Sequence, residues 1–335
     1  MSFDVEAATA AYIDGLGEEA LAQAAAYTTG NQWLMLWGLL ISAVVTLIII
    51  RTSLLTKTAD ELSKRGLVIR VFSISAVYLV VSELLEMPWS IFTGWWRETE
   101  YGRTSQPLMD FLGQGLLALV ISVLLFGIFL VAIYAFIQKA KKLWWLWSGA
   151  FSGVFVAFLM VVGPTYIAPL FNDYQPVPPG EVRDAVEAMA IDAGIPTDRV
   201  FMYDGSRQSN NFTANVAGIG GAARIAISDV ALDEATLDEV KAVTGHEIGH
   251  YKLGHVWDGV FLTIVIVMAS FFIADKAFNP VARMFGARDE IGDPTTMPVL
   301  LFLVGVIAMF TQPVSNALSR ICLLYTSPSP RDKRL

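Results

Sequence analysis

The chain has 335 residues, 55% of them hydrophobic and only 16% charged, with a mean hydropathy of +0.55. Soluble domains carry about a quarter charged residues, so this composition excludes an ordinary soluble protein. The formal net charge of -8 excludes nucleic acid as a partner, because a phosphate-binding face needs clustered Lys and Arg.

Residues 1–31 contain Asp4, Glu6, Asp14, Glu18 and Glu19 and no Lys or Arg. A signal peptide opens on positive charge followed by an apolar stretch, so this is a polar lead-in, read as a surface helix. Six segments then have the roughly 20-residue length that a membrane crossing takes. They fall at roughly 32–50, 67–92, 110–137, 143–165, 257–275 and 297–318. Nine Trp and twenty Phe fit aromatic belts at the ends of such spans. The first span runs from Trp33 to Ile50 without a charge. The second carries Arg70, Glu83 and Glu86; these either sit near the span's two ends or line a polar cavity. Pro88, Pro164 and Pro169 are expected to kink or end their helices. The membrane part is thus 32–170, with four spans, and 257–321, with two more.

Between spans four and five lies a polar block, 171–256. Gln175 to Gly180 reads as a turn or linker. Residues 181–193 have helical spacing, with Val182, Val186, Met189 and Ala190 on one side, and Gly194-Ile195-Pro196 ends that helix. Val200 to Tyr203 and Arg224 to Ser228 read as strands; Gln208 to Ala223 reads as a loop or a weak edge strand. Thr236 and Glu239 have the spacing of a capping box and start a helix that runs through Val240, Val243, His246 and His250.

His246-Glu247-Ile248-Gly249-His250 carries the chemistry. Positions four apart lie one turn apart on the same helix face, so His246 and His250 can offer two imidazole nitrogens to one Zn2+. Zinc takes such ligands at about 2.0–2.1 Å and keeps a position for water in catalytic sites. Glu247 would accept the water proton and pass it to a leaving amine. The bland alternative is a pair of surface His on a helix. His255, five residues after His250, is expected to point away from the metal face as a polar residue at the membrane boundary. A catalytic zinc needs a third protein ligand, and the later carboxylates Asp258, Asp275, Asp289, Glu290 and Asp293 form no helical motif. Gly245 and Gly249 each cost about 1 kcal/mol of helix stability against Ala, which suggests a close approach by another backbone or a substrate.

Residues 322–335 read as foreign. The codons that would spell Cys322 to Asp332 match a transposase-based sequencing adapter, so the segment is expected to be an artefact. The chain's single Cys then carries no information about redox compartment.

The chain resembles the type I CAAX prenyl endopeptidases, polytopic membrane zinc proteases related to the bacterial heat-shock membrane protease. Tyr166 to Asn172, Asp204-Gly205-Ser206 and above all Gly245 to His255 carry the resemblance, with Arg97 to Gly102 a weaker echo. It implies a mainly α fold: a polytopic membrane helical bundle or barrel around a water-filled chamber, with an α+β zinc-metallopeptidase domain inserted between spans four and five. It implies a gluzincin-like metalloendopeptidase with one Zn2+, embedded in the bilayer as a multi-pass protein of a bacterial inner membrane and acting on peptide or protein substrates, CAAX-type or others. A peptide would lie antiparallel along an edge strand, with contacts at Thr213, Ala214, Asn215 and Gly218; the family usually has Asn where Thr213 stands and an aromatic where Asn215 stands. The family's third ligand is a Glu in a Ser-Arg-x-x-Glu pattern. Ser319-Arg320 match its start, but position 323 is Leu, so the chain as given is expected to bind zinc weakly and to be nearly inactive.

The basic residues Arg51, Lys57, Lys64, Arg65, Lys139, Lys141 and Lys142 fall opposite the catalytic block, which by the positive-inside rule turns catalysis away from the cytoplasm. The resemblance implies a cytoplasmic catalytic face, and the sequence leaves the two open. Two other functions compete: a membrane transporter using the His pair as a metal site, and a non-catalytic scaffold with a vestigial one.

Overall fold

The structure, a computed structural model, describes residues 5–218 and 223–326. The first residues of the polar lead, 1–4, the stretch 219–222 and most of the adapter-like segment, 327–335, lie outside the described residues.

The polar lead is helical. Helix α1 (Val5–Gly15) gives way at Gly17, φ +81, to α2 (Gly17–Arg51), 35 residues long. At 1.5 Å per residue α2 is about 50 Å long, well beyond a hydrocarbon core of about 30 Å. Its first turns therefore stand clear of the bilayer. There Tyr27 donates to Glu98 at 2.9 Å, and the Arg97 guanidinium donates to the Tyr27 carbonyl at 2.8 Å. After α3 (Leu54–Glu61) comes α4 (Leu67–Ser90), which contains Pro88 without ending there. The ladder instead widens into a π-helix, Ile91–Trp96, and resumes as α5 (Arg97–Glu100). A π segment next to a proline lets the helix absorb the missing N–H and continue.

Helices α6 (Leu108–Ala140) and α7 (Trp144–Val162) belong to one apolar stretch, Leu108–Leu170, of 63 residues. It is broken at Lys141–Leu143, where Lys141 has φ 46. The chain folds back there: Phe129 meets Phe151 and Phe155 with ring centroids 5.9 and 5.0 Å apart. Among the described residues, five stretches are long and apolar enough to cross a membrane. The hydropathy pattern predicts six spans; the difference lies in this stretch, which holds two antiparallel helices, α6 and α7, where that pattern places two spans. Pro164 again sits in a π segment, Gly163–Ile167.

The polar block follows as β1 (Tyr174–Pro176), α8 (Glu181–Ala193), β2 (Val200–Tyr203), β3 (Ala214–Ala217), β4 (Arg224–Ser228), α9 (Asp229–Glu234) and α10 (Leu237–Lys252). The sheet order is β1-β2-β4-β3, with β2 and β4 parallel and the two outer strands antiparallel. Strand β1 falls in part where the sequence reads as a turn; Pro176 is tolerated because it ends an edge strand, where no ladder donor is required. Val186 and Ala190 of α8, Ile225 and Ile227 of β4, and Val240 and Ile248 of α10 form the core of this block.

Helix α11 (His255–Phe285) starts earlier and runs longer than the fifth predicted span, and α12 (Met297–Thr326) closes the bundle. The bundle core gathers Leu130, Tyr134, Phe271, Phe278 and Leu300. Helices α7 and α11 approach through glycine. A Cβ on Gly149 would lie 2.2 Å from Met268 Cγ, and one on Gly153 would lie 2.1 Å from Ile264 Cγ1. Small residues let helix backbones close in where lipid supplies no hydrophobic drive. A cavity of about 700 Å³ opens between α2, α11 and α12, lined by Leu39, Ser42, Ile266, Val267, Phe302 and Met309 among others.

Candidate metal centre and substrate edge

Helix α10 opens with the expected capping box: Thr236 Oγ1 accepts from the Glu239 amide at 3.3 Å, and Glu239 accepts from the Thr236 amide at 2.9 Å. Val240, Thr244 and Ile248, four apart, are buried against the sheet. That stripe fixes the helix rotation and leaves His246, Glu247 and His250 off it, each partly exposed.

The two Nε2 atoms of His246 and His250 lie 3.1 Å apart. An ion at about 2.0–2.1 Å from each would see them at an angle of roughly 100°, close to tetrahedral. The spacing of the pair thus fits a zinc ion. Glu247 lies between them in sequence and is half-buried; burial pushes its carboxyl above the ordinary value, against a lowering by His246. Around Gly249 there is open space where a side chain would stand, whereas a Cβ on Gly245 would come within 3.1 Å of Met189 Cε. The close neighbour implied by the glycines is therefore α8 at Gly245, and at Gly249 the helix face is open.

His255 is not where a continuous helix would carry it. Helix α10 ends at Lys252, and Gly254 takes the left-handed conformation, φ 72, before α11 begins at His255 itself. This break swings the His255 ring onto His250, Nδ1 to Nδ1 at 2.8 Å, with centroids 4.9 Å apart. The expectation that it points away fails because it assumed an unbroken helix.

Among the described residues, no group of three His, Cys, Asp or Glu converges on a common point. Three of the later carboxylates are engaged elsewhere: Asp275 accepts from Trp144 Nε1 at 2.8 Å, Asp289 pairs with Arg283, and Asp293 pairs with Arg288 and caps Thr295. Asp258 lies in the first turn of α11.

The weak strand becomes β3, at the open edge of the sheet. Thr213 accepts from the Ser228 amide at 2.9 Å, and its own amide donates to Ser228 Oγ at 3.1 Å. Its hydroxyl meets Tyr203 at 2.6 Å. In an antiparallel pair, alternate residues turn their N–H and C=O to the same side. With Thr213 turned inwards, Asn215, paired with Ala226, is turned inwards too. Ala214 and Val216 then present their backbone groups to the open edge. Gly218, φ +95, turns the chain after the strand. Val216 was missed from sequence; its period-two relation to Ala214 is the signal that would have found it.

The segment before β3 is tied to the membrane helices. The Asn210 amide donates to Arg103 O at 2.9 Å, its side chain donates to Gly102 O at 3.0 Å, and Arg207 pairs with Asp110 at the start of α6. The Arg97 to Gly102 segment thus braces both the front of α2 and the approach to β3.

Two family models match the chain: "CAAX prenyl protease N-terminal, five membrane helices" over residues 6–173, and "Peptidase family M48" over residues 176–325. A Bacillus subtilis protein described as an uncharacterized metalloprotease, YhfN, is 29% identical over 253 residues, 75% of this chain and 58% of its own length. CAAX prenyl protease 1 of Saccharomyces cerevisiae is 25% identical over 242 residues, 70% of this chain and 50% of its own length. The chain therefore spans between half and three-fifths of these relatives. The crystal structure of S. mikatae Ste24p aligns with a TM-score of 0.62 at 22% identity, covering 77% of this chain and 62% of that one, a likeness of fold.

Proposed function

The chain belongs to the CAAX prenyl endopeptidase family, peptidase family M48, and from that premise we propose that it is a membrane-embedded zinc metalloendopeptidase hydrolysing peptide bonds in peptide or protein substrates. The observation that carries the reading is the 3.1 Å convergence of His246 and His250 Nε2 atoms with Glu247 beside them. In this reading His246 and His250 hold one Zn2+, which when bound supplies Lewis acidity and brings a water pKa towards about 7. Glu247 takes the proton from the attacking water and returns it to the leaving amine. The substrate lies in extended form along β3, hydrogen-bonded to the outward backbone groups of Ala214 and Val216. The catalytic domain is 171–256, inserted between the four spans within 32–170 and the two within 257–321.

Glu247→Gln tests the core of this. Combined with Leu323→Glu, which supplies the implied third ligand, it is expected to abolish cleavage while leaving bound zinc and thermal stability as in Leu323→Glu alone; cleavage undiminished by Glu247→Gln in that background would sink the reading. A transporter would be indifferent to the substitution.

The ligand set is the second part of the proposal. No third ligand joins the pair among the described residues, and position 323, where the resemblance implies a Glu, is Leu. The chain as given is proposed to bind zinc weakly and to cleave poorly. Leu323→Glu should raise both zinc affinity and peptidase activity; an unchanged zinc affinity would show that the third ligand comes from elsewhere.

A further inference from the structure

We propose that His255 is a positioning residue for the metal centre: it accepts the Nδ1 proton of His250 and so holds His250 in the tautomer whose Nε2 faces the ion. The inference rests on the reading of His246 and His250 as zinc ligands and extends it to a residue outside the His-Glu-x-x-His pattern.

The argument starts from the backbone. On an unbroken helix each residue turns 100°, so a residue five further on lies roughly 140° around from His250 and its ring cannot reach. The left-handed Gly254 ends the run of α10 and restarts the chain as α11, with His255 at its first position. Only then do the two Nδ1 atoms come to 2.8 Å. A non-glycine residue at φ 72 pays a steric penalty from its Cβ, so the break is specific to glycine at this place.

The protons then follow from the contacts. His250 has two ring nitrogens with different neighbours: Nε2 faces His246 Nε2 at 3.1 Å, and Nδ1 faces His255 Nδ1 at 2.8 Å. A nitrogen that binds a metal offers its lone pair, so Nε2 must be unprotonated, and in a neutral imidazole the proton then sits on Nδ1. A 2.8 Å contact between two nitrogens needs one donor and one acceptor. His250 is the donor, so His255 offers an unprotonated Nδ1 and carries its own proton on Nε2. A hydrogen-bonded outer partner of this kind fixes ring orientation and raises ligand basicity, and its loss costs about 10- to 100-fold in metal affinity.

The test is zinc competition against a chelator of known affinity, with the full chain in detergent or nanodiscs. His255→Phe keeps a ring in the same place but removes the acceptor; zinc affinity should fall about 10- to 100-fold. His255→Gln restores an acceptor oxygen and should recover part of the loss. A second readout needs no variant. The 15N spectrum of the zinc-loaded chain should show His250 protonated at Nδ1, and His255 protonated at Nε2. Undiminished zinc affinity in folded His255→Phe, or a spectrum with His250 coordinating through Nδ1, overturns the proposal. His246→Ala separates it from the reading beneath it. If that variant loses zinc while His255→Phe does not, only the role of His255 falls; if neither changes zinc binding, the site itself is misassigned. Should His255→Phe fail to fold, the spectrum of the unmodified chain decides alone.

Discussion

The bundle and the polar block keep their helices together by different means. Where α7 crosses α11, glycines at 149 and 153 leave no room for a methyl group; the contact is one of backbone proximity, since neighbouring lipid is as apolar as the side chains. In the block, Val186 of α8 and Val240 of α10 pack onto Ile225 and Ile227 of the sheet, all four fully buried, in the manner of a water-soluble domain where burial itself is the driving force. One chain therefore uses shape where water is absent and apolar area where water is present.

That contrast can be broken first at the glycine crossing. Gly153→Leu adds a side chain where even a Cβ would sit 2.1 Å from Ile264. It should prevent the two helices from closing and abolish recovery of monodisperse protein in size-exclusion chromatography. Normal recovery would show that the approach is not required. The counterpart in the block is Ile225→Ala, which empties a site of zero exposure and should cost about 2–5 kcal/mol. Thermal unfolding followed by protease susceptibility within 171–256 would measure it, and the bundle helices should stay protected.

The smallest effect is one of pH, and it sharpens the comparison because it tests a polar tie within the block. Asp229 is partly buried, which raises its pKa. The hydrogen bonds donated by Ser206 N, Ser206 Oγ and Val230 N outweigh this and hold the carboxyl below its usual value. A depressed folded-state pKa gives a contribution that is complete above the unfolded value of about 3.9 and disappears as pH falls through the folded one. Amide exchange at Ser206 to Ser209 should therefore quicken, after correction for intrinsic rates, only as pH falls below about 4, modestly because the site is exposed to solvent. In Asp229→Asn the same amides should show no such step.

Much of this architecture was legible in the sequence because hydropathy and helical period are local. The long apolar helices, the helix 181–193 with its Gly194 cap, the two inner strands and the capped helix carrying His246 and His250 all follow from neighbouring residues. What escaped depended on relations between distant segments. Tyr174 to Pro176 becomes a strand only because β2 offers it an edge, and its Pro-rich surroundings argue locally for a turn. Pro88, expected to kink or end its helix, lies within α4, and the ladder widens into a π segment after it. At the candidate site, the pair of ring nitrogens was readable from a spacing of four. The place of His255 was not, since it turns on a single φ angle at Gly254 that no periodicity encodes. The inward facing of Thr213 likewise depends on its pairing with Ser228, fifteen residues away in the chain.

The strand order also says something about synthesis. Strand β3 is made before β4, and among the described residues β4 is its one ladder partner, because β2 and β4 lie side by side and β3 is added outside them. A chain emerging from the ribosome therefore holds residues 214–217 without a ladder partner until Ser228 has cleared the exit tunnel. The outer edge of the sheet therefore takes its place only once β4, the strand that supports it, has been made.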